Sequence, residues 1–329
     1  MGRIIISAFV LVAAMISCQK TTAPQQHASK ALKMTLTATI CNGDTKVSYE
    51  DVDNVLKTAW EQYNKVSLLA LDSQGRLLSN DIFTAMSAGK SVDFDGVFTN
   101  DPNTASLVVY YPALTQGTGE ESSPYESPTE NGYSGNGVLY GAKKGDKYLT
   151  IRSAYFLQTD NANTSHLAQY ALMAGPAEVQ GDKISVTMEH LAYVIKTVYT
   201  LPDEGCRVKS SSVQAFTSSD ANAQLTFPGW REIANYDQQN SAHYIDMNFG
   251  SEISGGSGNG FVVEGNTLTV YYVGYGNVQL KKDSYLSFHL DAYKEDNYMD
   301  LNAKKNFDSD KTLEPGKMYR LSATLEAAD

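Results

Sequence analysis

Tyr285-Leu286-Ser287-Phe288-His289-Leu290-Asp291-Ala292-Tyr293 alternates without a break: Leu286, Phe288, Leu290 and Ala292 fall on one side, Ser287, His289 and Asp291 on the other. Successive side chains of a strand point to opposite faces, so this run reads as a β-strand with one buried face. The same period recurs upstream. Val66, Leu68 and Ala70 alternate with Ser67, Leu69 and Leu71, and Leu107, Val109 and Tyr111 share a face until Pro112 ends the run. Leu149, Ile151 and Ser153 alternate with Tyr148, Thr150 and Arg152. Each reads as a half-buried strand of ordinary length. Asn-Gly pairs at 42–43, 131–132, 136–137 and 259–260 suit hairpin turns that need positive φ. No helices of 10–15 residues alternate with the strands, which excludes a parallel α/β sheet and leaves packed antiparallel sheets. One segment departs from the pattern. Val52, Val55, Leu56, Ala59, Trp60 and Tyr63 fall at helical spacing, and periodicity alone predicts an amphipathic helix over 51–63.

Composition agrees with an all-β chain that buries a core. Of 329 residues, 21 are Tyr and 25 Gly, and 42% are hydrophobic, which excludes wholesale disorder. At about 150 residues per domain the length suggests two domains or one large one. The boundary falls best near Gly175-Pro176 and Gly181-Asp182, giving domains over 34–177 and 178–329. Past it, Ile184–Leu201 is a long apolar stretch whose inward face shifts near Glu189-His190, as at a β-bulge. Two loops stand out: Thr115–Gly137, rich in Gly, Ser, Pro and Glu, and the glycine-rich Gly250–Gly260. The formal net charge of −11 argues against nucleic acid as a partner, since phosphate tracking needs clustered cations.

The first residues decide the compartment. Arg3 precedes the apolar run Ile4–Ala14, which suits a secretory signal and is too short to span a bilayer. Ser17-Cys18 resembles the end of a bacterial lipobox, with Met15 where Leu is commonest. Residues 1–17 are then a lipoprotein signal peptide cleaved between Ser17 and Cys18, and Cys18 carries the acyl chains. Several chains, at about 0.8 kcal/mol per buried CH₂, hold a protein on a membrane. Residues 18–33 are polar and read as a tether. Cys41 and Cys206 remain; placed in different domains, they read as two buried thiols rather than a bridge.

A search for chemistry finds little. The five His residues are far apart, and neither His-Glu-x-x-His nor Cys-x-x-Cys occurs, so no metal or cofactor is expected. Gly132-Tyr133-Ser134-Gly135-Asn136 and Gly255-Gly256-Ser257-Gly258-Asn259 both fail as nucleophile elbows at their last position. Carboxylates such as Asp291, Glu295, Asp296, Asp300, Asp308 and Asp310 lack calcium-loop spacing, and Asp93-Phe94-Asp95-Gly96 is only a fragment of it. His190, on an apolar strand, reads as a core histidine. Trp60, Trp230 and the tyrosines offer flat rings suited to sugar stacking, although half-buried Tyr on strand faces is the plainer reading. Tyr125 and Tyr133, in the long loop, and Trp230 are the aromatic candidates for contact with a glycan or a host protein.

A series of motifs, in order, carries a family resemblance. After the lipobox come Thr45-Lys46-Val47-Ser48-Tyr49 and Leu56-Lys57-Thr58-Ala59-Trp60-Glu61, then Asn64-Lys65-Val66-Ser67-Leu68. Phe94-Asp95-Gly96-Val97-Phe98, Val108-Val109-Tyr110-Tyr111-Pro112-Ala113 and Met188-Glu189-His190-Leu191-Ala192-Tyr193-Val194 follow. Leu313, Pro315-Gly316-Lys317-Met318-Tyr319 and Leu321 close the series. From about residue 35 to the end the chain resembles the fimbrillin family of Bacteroidales, lipoprotein subunits of type V pili and their relatives. The resemblance implies two transthyretin-like antiparallel β-sandwiches of about seven strands each. It implies that 57–60 are extended and lead into a turn, which discounts the helix over 51–63. It further implies lipid anchoring in the outer membrane, a non-enzymatic role in adhesion, and assembly with other fimbrial subunits by donor-strand exchange. Tyr319, Leu321, Ala323 and Leu325 face one way and Arg320, Ser322, Thr324 and Glu326 the other, which suits a donor strand and equally a strand that completes its own sheet. Stalk pilins of that family lose their first strand to an arginine-specific protease. Here no Arg lies between Cys18 and Arg76, and Arg76 falls in a turn, so a retained strand implies an anchor or accessory subunit.

Overall fold

The computed structural model describes residues 30–40, 50–52, 55–57, 59–116, 137–170, 172–227, 229–235, 240–251, 253–254 and 257–327. The described residues are all-β apart from one helical turn, α1 (Leu167–Tyr170). No helix among the described residues is long and apolar enough to cross a membrane.

The first half opens with β1 (Lys30–Ile40), which turns Met34, Leu36, Ala38 and Ile40 inward. β2 (Glu50–Val52) and β3 (Val55–Lys57) then pair as a small hairpin, where helical spacing predicts a helix. The core overrides that spacing. Trp60 is fully buried, donates from Nε1 to the carbonyl of Ala38 (3.1 Å), and packs edge-on to Phe94 and Tyr111. Tyr63, which a helix would place beside Trp60, is 71% exposed in the turn that follows, at φ 72°. β4 (Lys65–Leu71), β5 (Leu77–Ala85), β6 (Ser91–Asn100) and β7 (Ser106–Tyr111) follow. Alternation in β4 and β7 predicts one exposed face, yet both strands are buried on both faces. Later segments cover the outer face: Ser67 Oγ accepts from the Leu114 N–H (2.8 Å), and the Tyr110 hydroxyl donates to the carbonyl of Ile233 (3.0 Å).

After β8 (Thr115–Gln116), β9 (Gly137–Ala142) and β10 (Tyr148–Gln158), the chain returns through α1 to β11 (Met173–Gln180) and β12 (Lys183–His190). The barrel order is β1-β12-β11-β7-β4-β5-β6, closed, with β1 parallel to β12 and antiparallel to β6. The expected boundary near 175–182 lies within the hairpin of β11 and β12. Gly175 sits where an added Cβ would meet the Thr187 carbonyl at 2.1 Å, and Gly181 makes the turn at φ 67°. The inward face shifts after Glu189-His190 because the chain changes sheets there. Leu191 donates to the carbonyl of Leu172 (2.8 Å), and β13 (Ala192–Thr200) begins a new sheet.

The second half continues with β14 (Arg207–Phe216), β15 (Gly229–Glu232), β16 (Tyr244–Phe249), β17 (Ile253–Ser254), β18 (Ser257–Gly258) and β19 (Phe261–Val262). β20 (Thr267–Tyr275), β21 (Val278–Leu280), β22 (Tyr285–Lys294), β23 (Asn297–Asn306), β24 (Lys311–Leu313), β25 (Met318–Thr324) and β26 (Glu326–Ala327) complete it. One layer has the order β20-β13-β25; the other runs β26-β23-β22-β14-β16 and continues through β10 to β9 and β8. In β22 the expected alternation holds, with Leu286, Phe288, Leu290 and Ala292 buried. The layers meet in a core that is continuous with the barrel's. Through it runs a chain of hydroxyls: Tyr199 to Tyr272 (2.7 Å), Tyr272 to Ser211, and Ser211 donating to the carbonyl of His289 (2.7 Å). Pairing is mainly antiparallel; β1–β12, β8–β9, β10–β16 and β13–β25 are parallel.

Candidate functional site

The terminal strand is set up by the turn before it. Gly316, at φ 76°, donates to the carbonyl of Ala192 (2.8 Å), Lys317 pairs with Glu314, and the Tyr319 hydroxyl accepts from the Glu314 N–H (2.7 Å). β25 then runs parallel to β13, from Val194 opposite Met318 to Thr200 opposite Thr324. Tyr319, Leu321 and Ala323 are half-buried and Leu325 is buried, while Arg320, Ser322, Thr324 and Glu326 are exposed. The Tyr319 ring meets Tyr193 edge-on at 6.4 Å. β25 is the edge of its layer. Beyond it Leu325 donates to the carbonyl of Thr200 (3.0 Å), and β26 pairs with β23, so the chain's end passes from one layer to the other. In the single chain this strand pairs within its own sheet, against β13.

A second surface is the outer face of β14, β22 and β23. Asp291 and Asp300 stand directly opposite each other on neighbouring strands. Like charges in that position destabilise a sheet, and here other groups offset them. His289 Nε2 lies 2.9 Å from Asp300 Oδ1 and 3.9 Å from Asp291 Oδ1, while Ser210 and Tyr298 donate to Asp291, the latter at 2.6 Å. The Asp291 carboxylate pushes the Tyr298 hydroxyl up to about 12, so it stays a donor at neutral pH. Tyr298 is 55% exposed, with its ring against Tyr293. The two carboxylates thus share an exposed sheet face rather than facing each other across a cleft.

The other candidate residues are scattered. Ser17, Cys18, Cys41, Tyr125 and Tyr133 lie outside the described residues. Trp230 is on β15, opposite Thr150 of β10. Cys206 is buried as a free thiol that donates to the carbonyl of Asp203 (3.2 Å). Asp93 and Phe94 are in β6, the first accepting from Thr37 (2.6 Å) and the second in the core. Asp310 accepts from Lys281 and from the N–H of Lys282, which hold its carboxyl below the usual range. Among the described residues, no group of three or more His, Cys, Asp or Glu is placed to hold a metal ion.

Among the described residues, the fold is all-β and the features singled out above are a sheet face and a strand edge. Solved structures similar to this chain come from adhesion and fimbrial proteins of Bacteroides and Porphyromonas. A candidate cell adhesion protein from Bacteroides ovatus is 12% identical over 92% of this chain and 97% of its own, with a TM-score of 0.41. A fimbrial protein from the same species is 12% identical over 90% of this chain and 50% of its own (TM-score 0.31). The fimbrial anchor protein Mfa2 from Porphyromonas gingivalis is 8% identical over 86% of this chain and 82% of its own (TM-score 0.31). No family model and no curated protein matches the chain.

Proposed function

We propose that this chain is a non-enzymatic subunit of a cell-surface adhesive assembly, an anchor or accessory protein of a fimbrium. It is held in the outer membrane by lipid on Cys18 and joined to other subunits by strand exchange. The ordered sequence motifs and the lipobox support the reading, and the observation that carries it is the terminal strand. β25 is a regular strand at an edge, with an apolar row only half-buried. Such a strand can leave its layer by breaking its ladder to β13 and the short β26–β23 pairing beyond it, and the same alternating row can fill a groove on a neighbour. A second reading, a glycan- or protein-binding lipoprotein on the same fold, draws on the exposed face around Tyr298.

Immunogold electron microscopy of intact cells expressing the parent chain or a deletion of 320–329 tests both readings. Gold on filaments or at their bases for the parent, lost in the deletion, is the expected result. Equal incorporation of the deletion variant overturns the strand assignment, and gold spread over the cell surface with no filaments favours the second reading. Leu321→Asp, which keeps the chain length, serves as the matching variant if the deletion fails to fold.

A further inference from the structure

β20 lies at one edge of the three-stranded layer, with β13 as its strand partner on the inner side. Side chains take up outward backbone groups of Thr267, Thr269, Tyr271 and Tyr275, and the backbone N–H of Ala162 also donates to the carbonyl of Thr269 (3.3 Å). Gln158 Nε2 donates to the carbonyl of Thr269 (2.8 Å), and its Oε1 accepts from the N–H of Tyr271 (3.1 Å). Asn161 does the same two residues back: Nδ2 donates to the carbonyl of Thr267 (2.9 Å) and Oδ1 accepts from the N–H of Thr269 (2.8 Å). His166 Nε2 donates to the carbonyl of Tyr271 (3.1 Å), and Thr226 Oγ1 accepts from the N–H of Tyr275 (2.8 Å). A primary amide presents one donor and one acceptor in a plane, the pair that one residue of a neighbouring strand would present. Gln158 and Asn161 are therefore two rungs of a ladder built without a strand.

The sequence of β20 shows what an uncovered edge would do. Thr267-Leu268-Thr269-Val270-Tyr271-Tyr272-Val273-Gly274-Tyr275 contains no charged residue and no proline, and it is dominated by Val, Thr and Tyr. Uncharged segments of high β-propensity pair with copies of themselves, and exposed edges of this kind are the usual site. β23, which β26 pairs with only at Leu301 and Asn302, instead ends in Lys304-Lys305-Asn306, all exposed, and charges of that kind blunt an uncovered stretch of strand. β20 has no such charges and relies on the amides.

We propose that Gln158, Asn161 and His166 form an autoinhibitory strand mimic that shields β20 from antiparallel pairing with β20 of a second copy of this chain. The proposal goes beyond the adhesive reading and does not depend on it. A Gln158→Ala/Asn161→Ala double variant is compared with the parent by amide hydrogen exchange at Thr269 and Tyr271 and by sedimentation over a range of concentrations. In dilute solution these amides should exchange about tenfold faster in the variant or more, since their hydrogen-bond acceptors are then gone. At high concentration the variant should sediment as dimers or larger species and the same amides should regain protection, while the parent changes in neither respect. Parent-like exchange in the variant overturns the proposal, and so does fast exchange that rising concentration does not slow. Asn161→Ala alone removes a half-exposed side chain and reads the Thr269 amide in the same way, should the double variant not fold.

Discussion

The Tyr272 hydroxyl sits where the two layers of the second half meet. It joins Tyr199 of its own layer to Ser211 of the other, and burial holds both phenols well above the ordinary range, so both remain neutral donors. Tyr272→Phe deletes the middle of the chain and leaves buried oxygens short of a partner. We expect a loss of about 1–3 kcal/mol, read by urea unfolding; a variant as stable as the parent would show that the hydroxyls contribute nothing net. None of this was legible in sequence. The partners of a hydroxyl are set by which strands face each other. Trp60 makes the same point from the other side: its spacing suggested a helix face, and its burial at the centre of the barrel took it out of any sugar-stacking surface.

At the scale of elements, β13 and β20 are held tightly enough that one methyl group matters. A Cβ on Gly274 would lie 2.2 Å from the Tyr193 ring, whose hydroxyl donates to the carbonyl of Leu225. Gly274→Ala must displace that ring and break its hydrogen bond. We expect about 1–3 kcal/mol of destabilisation, measured as a lower unfolding midpoint at unchanged slope. An unchanged midpoint would mean that Tyr193 can move without loss. Strand identity was largely legible here, since alternation in β22 and in the terminal strand survives in the structure. Strand burial was not. β4 and β7 alternate in sequence but are covered on both faces, because Leu114 and the segment at Ile233 fold back over them. For the candidate site, the two faces of β25 could be read from residue types, but not that it ends as the edge of a layer.

Across the whole molecule, two buried histidines tie stability to pH. Burial lowers His166 to about 4, against a smaller opposing effect of its bond to Tyr271, and burial lowers His190 to about 4 as well. His190 is only half-covered as a residue, yet its Nε2 is sealed and without a partner among the described residues. In the unfolded chain each titrates near its ordinary value, about 6.5. Above that pH both are neutral in both states and contribute nothing. Below it the unfolded chain takes up protons that the folded chain refuses, so stability falls from about pH 6.5 to about pH 4, by on the order of 3 kcal/mol per histidine, and the effect levels off below. Urea unfolding between pH 7 and 4 should show a shallower decline in a His166→Gln/His190→Gln variant than in the parent. The carboxylates titrate alike in both, so equal slopes would refute the assignment.

By itself the sequence determined that this chain is all-β, where most of the long strands run, and that it is acidic. These follow from local facts, since the polarity period and a run of apolar residues are properties of neighbours along the chain. Only the tertiary structure decided that 50–52 and 55–57 pair as strands, that the first half closes into a barrel through a parallel pair, and that the chain changes sheets at Leu191. It also decided that Gln158 and Asn161 meet an edge more than 100 residues away. Sheet pairing joins residues distant in sequence, and which edges are left open or covered depends on the packing of every other strand.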